Sequence, residues 1–308
     1  MNTPRINPYL ALAIGVLTVS TSAIFVKLST ADAGVVAFYR LFISVIIMIP
    51  VFFPKYIKEL KMINRRDWLF SIIAGIFLAF HFILWFESLN YTSVASSTVL
   101  VTLQPLFAFI GTFLFFKEKF SFKAILCAVI AIIGSIIISW GDFQISGSAL
   151  FGDFLALAAC GLITAYLLFG QDVRKRISLV TYTFVVYLIS SIVLFFYVLA
   201  SGSAFYPYPP MDWLYFLLLA IVPTLLGHTL FNWSLKWLST STISMAILFE
   251  PVGAALLAYY ILQEKILWTQ LLGGLIVILS VSLFLFDEKK SKASQIRRQP
   301  MQMGEGEG

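Results

Sequence analysis

Residues 104–119 read QPLFAFIGTFLFFKEK and residues 250–265 read EPVGAALLAYYILQEK. Each stretch opens on a polar residue followed by proline, runs apolar, and closes on Glu-Lys. Gln104 and Glu250 stand 146 residues apart in a chain of 308. The same offset pairs Leu84 with Leu230, Ser88 with Ser234, Leu89 with Leu235 and Ser93 with Ser239. The chain is therefore an internal duplication, and a repeat on this scale governs how everything else is read.

Both copies lie in apolar sequence. Hydrophobic residues make up 60% of the chain and charged residues 12%, against about 25% charged in a soluble domain. Apolar runs of about 20 residues, long enough to cross hydrocarbon as helix, recur ten times. They fall near residues 9–28, 34–53, 69–89, 94–116, 124–140, 149–169, 179–200, 213–233, 241–262 and 267–286. Barrel strands would alternate apolar and polar residues. These runs are continuously apolar, and only a helix satisfies its own backbone over such a length in lipid. The expected fold is an all-α integral membrane protein of ten transmembrane helices in two five-helix repeats, residues 9–140 and 149–286. The polar turn Asp142–Ser148 divides them, and the charged, Gly-rich tail 287–308 is predicted to be disordered. Five is odd, so the second repeat enters the membrane from the opposite face. Inverted repeats of this kind mark secondary transporters.

The formal net charge of +6 does not point to nucleic acid, because the basic residues sit in short loops between apolar runs. With the N-terminus inside, all of the 21 Lys and Arg except Lys27, Arg40 and Lys265 fall on the cytoplasmic side. That bias orients the chain and predicts a multi-pass protein of the cell membrane with both termini cytoplasmic. Arg5 precedes the first run, which is too long for a signal-peptide core and is read as an uncleaved span. The two cysteines, Cys127 and Cys160, lie inside apolar runs and suggest neither disulfide nor metal site. Walker, HExxH and Cys/His patterns do not occur, so neither ATP drive nor an intramembrane enzyme is expected, and no cofactor is expected.

Polar side chains inside the spans are costly and are candidate functional groups. At about 1.5 Å per residue, Glu250 lies about 14 Å from the start of its span and Gln104 about 15 Å from the start of its own. Both are near the midplane and both precede a proline, which removes a backbone donor. Glu250 is a candidate for proton coupling or for binding a substrate amine, or else a structural partner at a helix break. Gln104 is a candidate for the same site or for a helix–helix hydrogen bond. Arg40, six residues into its span, is expected to snorkel outward, to pair with Glu87, or to bind a substrate carboxylate. Lys27 is expected at the outer face. His81 and His228 are packing residues or a proton relay. Trp85 offers a stacking surface, and Asn232 a hydrogen bond to a ligand. Glu118 and Glu264 are read as interfacial caps at opposite faces.

The FVK at 25–27, FYRLFIS at 38–44, SLNYTSVAS at 88–96 and the two Pro…Glu-Lys stretches together resemble the drug/metabolite transporter superfamily, and within it the ten-helix EamA-type members, over about Tyr9 to Phe286. That resemblance implies a central cavity lined by helices 1, 3, 4, 6, 8 and 9, with helices 5 and 10 behind. It also implies an exporter of amino acids, metabolites or drugs. The expected partners are a small-molecule substrate, protons as a candidate coupling ion, and the lipid bilayer, with the chain a monomer or homodimer. A translocator of lipids or lipid-linked sugars is the alternative within the same superfamily. A non-transporting membrane scaffold is a further alternative, disfavoured by the inverted repeat.

Overall fold

In the computed structural model, residues 4, 6–140, 147–263 and 267–304 are described. Arg5, Glu264, Lys265 and most of the predicted inter-repeat turn lie outside the described residues. The described backbone is nearly all helical, without strands. Among the described residues nine helices are long and apolar enough to cross a membrane, and a tenth, shorter apolar helix lies between the fourth and fifth of them. They are α1 (Pro8–Val19 and Ser22–Leu28), α2 (Ala33–Lys55), α3 (Arg65–Tyr91), α4 (Val94–Thr102 and Gln104–Phe116), α5 (Phe122–Ser139), α6 (Gly147–Val173), α7 (Leu179–Ser201), α8 (Pro210–Leu219, a π-helical stretch Ala220–His228, and Thr229–Ser234), α9 (Thr240–Ile247 and Glu250–Ile261) and α10 (Trp268–Gly304). α10 continues into the tail as far as Gly304. A helix already nucleated extends at little cost through residues such as Lys, Gln and Arg.

Helix ends repeat as the sequence does. Ser93 and Ser239, one repeat offset apart, cap α4 and α9 by accepting from the amides of Ser96 and Thr242. Such caps satisfy donors that a helix start leaves open. The pairing of helices also respects the duplication. α3 packs along α6 and α1 along α8; α3 meets α7 and α2 meets α8; α2–α7, α5–α10 and α4–α9 pair with their own counterparts. Exchanging the two repeats maps each of these pairings onto another, as a two-fold axis between inverted halves requires. Within α4–α9 the contact is crosswise, the first half of each helix against the second half of the other. The two helices therefore run antiparallel, with their breaks at a common level.

Two acidic clamps tie the repeats together, one at each end of the bundle. Asp67, in the first turn of α3, accepts from the guanidinium of Arg176 in the α6–α7 loop at 2.6–3.1 Å. Bonds to Asp67 and Asp172 hold Arg176 above its ordinary range. Asp212, in the first turn of α8, accepts from Ser29 Oγ, the Thr30 amide and Thr30 Oγ1 in the α1–α2 loop at 2.6–2.8 Å. These are equivalent positions: an aspartate opening the third helix of one repeat grips the first loop of the other. Between α2 and α3, Glu59 accepts from the amide and hydroxyl of Ser178 and from Thr181 Oγ1, at the start of α7. Burial pushes its carboxyl upward, but these hydrogen bonds outweigh it and hold it below the usual range.

Candidate substrate cavity and its electrostatics

The helix breaks decide where the site lies. Pro105 and Pro251 each occupy the second position of a half-helix. Having no N–H, they cannot donate to the carbonyls four residues earlier, those of Val101 and Ile247. The helices interrupt at Leu103 and at Leu248–Phe249, leaving Gln104 and Glu250 as first residues of the second halves. Such interruptions are tolerated at membrane depth where they line a cavity. A cavity is there. Its walls are Val19, His81, Trp85, Val101, Gln104, Ile163, Leu167, His228, Phe231, Ile247 and Glu250. These belong to α1, α3, α4, α6, α8 and α9, the six helices that the resemblance implied. The cavity is small, about 20 Å³, and a water molecule needs about 10–15 Å³. The cavity has room for one particle of water size.

Five of the seven candidate residues meet in this wall: Glu250, Gln104, His81, Trp85 and His228. Glu250 and Gln104 are 5% and 3% exposed. Gln104 Oε1 is buried with no hydrogen-bond partner, as are Trp85 Nε1 and His228 Nδ1. His81 Nδ1 lies 3.0 Å from the Ala159 carbonyl. A carbonyl only accepts, so that nitrogen carries the proton and Nε2 remains an acceptor. The His81 ring stacks on Trp85 at 5.7 Å between centroids, and His228 meets Phe82 and Phe231 edge-on. Asn232 stands one turn beyond His228, donating to the His228 carbonyl at 2.9 Å and to Tyr166 Oη. It braces α8 against α6 beside the cavity.

Arg40 departs from expectation. It neither snorkels nor pairs with Glu87. It is fully buried, and among the described residues the ion pairs are Arg66–Asp172, Arg176–Asp67 and Arg176–Asp172. Its Nε donates to Thr224 Oγ1 and its Nη1 to Ser22 Oγ, both at 2.7 Å. The guanidinium lies over the Phe82 ring, 4.2 Å from the centroid. Glu87, half-buried, instead accepts weakly from Asn90 at 3.4 Å. The reason is local. α1 breaks just before Ser22 and α8 loosens into its π-helical stretch around Thr224, so two hydroxyls are brought inward to the cation. Neither break is signalled by the repeat, because the counterparts α6 and α3 are unbroken. Pro223 inside α8 was the available clue on one side; the break at Ser20–Thr21 has no proline.

A larger space, about 630 Å³, opens at one end of the bundle between Glu118, Lys119, Gln171, Lys175, Lys236, Ser241 and Glu288, among others. Glu118 faces this vestibule, accepting from Gln171 Nε2 at 3.3 Å and Ser241 Oγ at 3.5 Å. One helical turn separates vestibule from cavity on α6 (Gln171, Leu167) and on α8 (Leu235, Phe231). That layer is knitted by the Thr240 amide donating to Gln171 Oε1 at 2.6 Å and by Thr112 with Ser241 at 2.7 Å. At the other end the Asp212 clamp closes the bundle and Lys27, exposed as expected, donates to the Leu89 carbonyl. A lateral groove of about 210 Å³ between Phe70, Phe115, Phe116, Leu168 and Phe169 shares no residue with the cavity. Among the described residues no group of three or more His, Cys, Asp or Glu is placed to hold a metal.

Comparison with known proteins agrees with the geometry. The chain matches the EamA-like transporter family over residues 7–140 and 150–286. It is 26% identical over 83% of its length to a protein of Synechocystis sp. named uncharacterized transporter sll1164, covering 76% of that protein. It is 22% identical over 80% of its length to the riboflavin transporter ImpX of Fusobacterium nucleatum, covering 86% of that protein. A solved crystal structure shares the fold with a TM-score of 0.73 and 15% identity, over 89% of this chain and 95% of that one.

Proposed function

Because this chain belongs to the EamA-like transporter family, we propose that it is a secondary transporter that moves small amphipathic solutes outward, amino acids or related metabolites, by alternating access around the cavity between the helix breaks. The observation that carries this reading is the convergence of two broken helices, one from each repeat, on a small cavity with a wider vestibule one helical turn away. In this reading the protein lies in the cell membrane with both termini and the vestibule cytoplasmic, the side that holds most of the Lys and Arg. The Gln171–Thr240 and Thr112–Ser241 bonds are then the inner gate, and the Asp212 clamp belongs to the outer one. Trp85, His81, His228 and Phe231 supply stacking surfaces, while Glu250, Gln104 and Asn232 supply polar contacts. Proton gradient or solute gradient drives the cycle, with Glu250 as the coupling carboxylate.

A flavin or another heteroaromatic solute is a second reading, supported by the stacked His81–Trp85 pair and by the relative named as a riboflavin transporter. Lipid translocation is less well supported, since α6 stands between the lateral groove and the cavity. The test is flux in proteoliposomes against a panel of amino acids, flavins and nucleobases, with and without a pH gradient, for the wild type and Glu250→Gln. Flux of one panel class, with its pH-driven part lost in Glu250→Gln, is expected. Flux of none removes the substrate classes named here, and undiminished pH-driven flux in the variant removes coupling at Glu250.

A further inference from the structure

The lateral groove has an apolar body and a charged end. It measures about 210 Å³ and lies between α3, α4 and α6. Phe70, Phe115, Phe116, Ala165, Leu168 and Phe169 form its apolar wall, and Arg66 and Asp172 stand at its polar end. Positions 165, 168, 169 and 172 of α6 fall on one helical face. On α3, Arg66 precedes Phe70 by one turn. Both helices therefore run from a charged residue near the loops to apolar residues deeper in the bundle. From Asp172 to Ala165 that face of α6 is about 10 Å long. The Ala165 side chain ends at Cβ and leaves room at the deep end.

Two cations are seated on the aromatic wall. The Arg66 guanidinium lies over the Phe70 ring, 5.0 Å from the centroid, and Lys175 Nζ lies over the Phe116 ring at 4.9 Å. Arg66 meets Asp172 through Nη2 at 3.2 Å, with its side chain still 64% exposed. A guanidinium has five N–H donors, so this contact occupies a small part of its capacity. Asp172 is shared with Arg176 at 2.6 Å, and Arg176 also pairs with Asp67. The charges of Arg66, Arg176, Asp67 and Asp172 cancel. Lys175 is left over, and the exposed Arg65 and Lys117 adjoin Arg66 and Phe116 in the chain. The mouth of the groove therefore carries an excess of positive charge.

An apolar groove facing hydrocarbon forfeits dispersion contacts unless a chain fills it. Any bilayer chain can do that; the charge at the mouth selects among lipids. Basic pockets between membrane helices bind anionic headgroups. We propose that this groove binds one anionic phospholipid, its phosphate at Arg66 and Lys175 and one acyl chain along Ala165, Leu168 and Phe169. The lipid is a resident and not cargo, because the groove shares no residue with the cavity. It touches α3 and α4 of the first repeat and α6 of the second, so its binding stabilises the junction between them. Lys175 also lines the vestibule, which places the headgroup in the leaflet on the vestibule side. The site does not rest on the transport reading.

The experiment is thermal unfolding of the full chain in detergent. Phosphatidylglycerol or phosphatidylcholine with the same acyl chains is added as mixed micelles, and inorganic phosphate alone is added in parallel. A saturable rise of a few degrees with phosphatidylglycerol is expected, since a ligand bound to the folded state alone stabilises it by mass action. Phosphatidylcholine is expected to give little response and phosphate none. Arg66→Gln and Lys175→Gln alter exposed side chains and are expected to fold. Each should weaken the apparent affinity for phosphatidylglycerol about fivefold, the worth of one basic residue near an anionic surface. Ala165→Phe keeps every charge and fills the groove, and is expected to lose most of the response; Ala165→Leu is the milder filling variant, with a smaller loss. Equal responses to the two lipids, or none to either, overturn the proposal. So does a full phosphatidylglycerol response in both folded Ala165 variants, which would leave the lipid on surface charge alone. A response to phosphate equal to that of the lipid overturns it as well, by making the site one for a free anion.

Discussion

Arg40 Nε donates to Thr224 Oγ1 over 2.7 Å, joining α2 to the π-helical turn of α8. The bond explains an otherwise expensive arrangement, a full charge buried without a carboxylate in contact. Two hydroxyls and an aromatic face take the place of an anion. Thr224→Val keeps the shape and removes the acceptor. It leaves a charged donor unsatisfied and is expected to destabilise the fold by about 1.5–3 kcal/mol. Thermal or denaturant unfolding in detergent measures this, and an unchanged midpoint would show that the hydroxyl does not hold the guanidinium.

The two aspartate clamps occupy equivalent places but differ in chemistry, and salt separates them. Asp67 grips a guanidinium that is 38% exposed at its side chain. Arg176→Gln is expected to cost about 1–2 kcal/mol in low salt, and less at 1 M salt, where charges are screened within about 3 Å. Asp212 grips two hydroxyls and an amide, so Asp212→Ala should destabilise similarly at every ionic strength. Parallel unfolding curves at two salt concentrations test the contrast; the same salt dependence for both variants would contradict it.

Glu59 caps α7 from another loop, and its carboxyl is held below the usual range by that capping. A carboxyl depressed on folding contributes stability above its unfolded value and loses that contribution as pH falls through the folded one. Glu59→Ala is expected to lower stability at neutral pH by about 0.5–2 kcal/mol, the usual worth of a cap. The difference from wild type should be level above about pH 5 and shrink below about pH 4. A gap that widens on acidification would refute the assignment.

Where α1 crosses α8, Gly15 and Gly227 face one another. A Cβ at 15 would lie 2.7 Å from the Phe231 ring, and one at 227 would lie 2.4 Å from the Val19 side chain. Phe231 and Val19 are both cavity residues. Small residues let membrane helices approach closely, and overpacking such a contact costs about 1–3 kcal/mol. Gly227→Leu is expected to part α1 from α8, lowering stability and slowing solute flux together. Wild-type flux in a folded variant would place this crossing outside the transport path.

The reach of the sequence can be followed through particular residues. Gln104-Pro105 and Glu250-Pro251 disclosed the duplication and two of the residues that line the cavity, and the polar and aromatic groups inside apolar runs disclosed His81, Trp85 and His228. A proline inside an apolar run has one backbone consequence wherever it stands, and a 146-residue offset needs no coordinates to be counted. Arg40 was misplaced because sequence distance from the outer face said nothing of direction. Its partners Ser22 and Thr224 are 18 and 184 residues away. The clamps at Asp67 and Asp212 went unnoticed for the same reason, joining loops that only the folded bundle brings together.

Hydropathy, charge bias and the repeat alone determined a ten-helix membrane fold, because the bilayer leaves the backbone no other way to satisfy its hydrogen bonds. Tertiary structure decided where the duplication is broken. α1 and α8 are irregular while their counterparts α6 and α3 run straight, and the irregular stretches present Ser22 and Thr224 to the buried Arg40 of α2. It also decided that Gln104 and Glu250 line one small space, because two antiparallel helices packed crosswise bring their breaks to the same level.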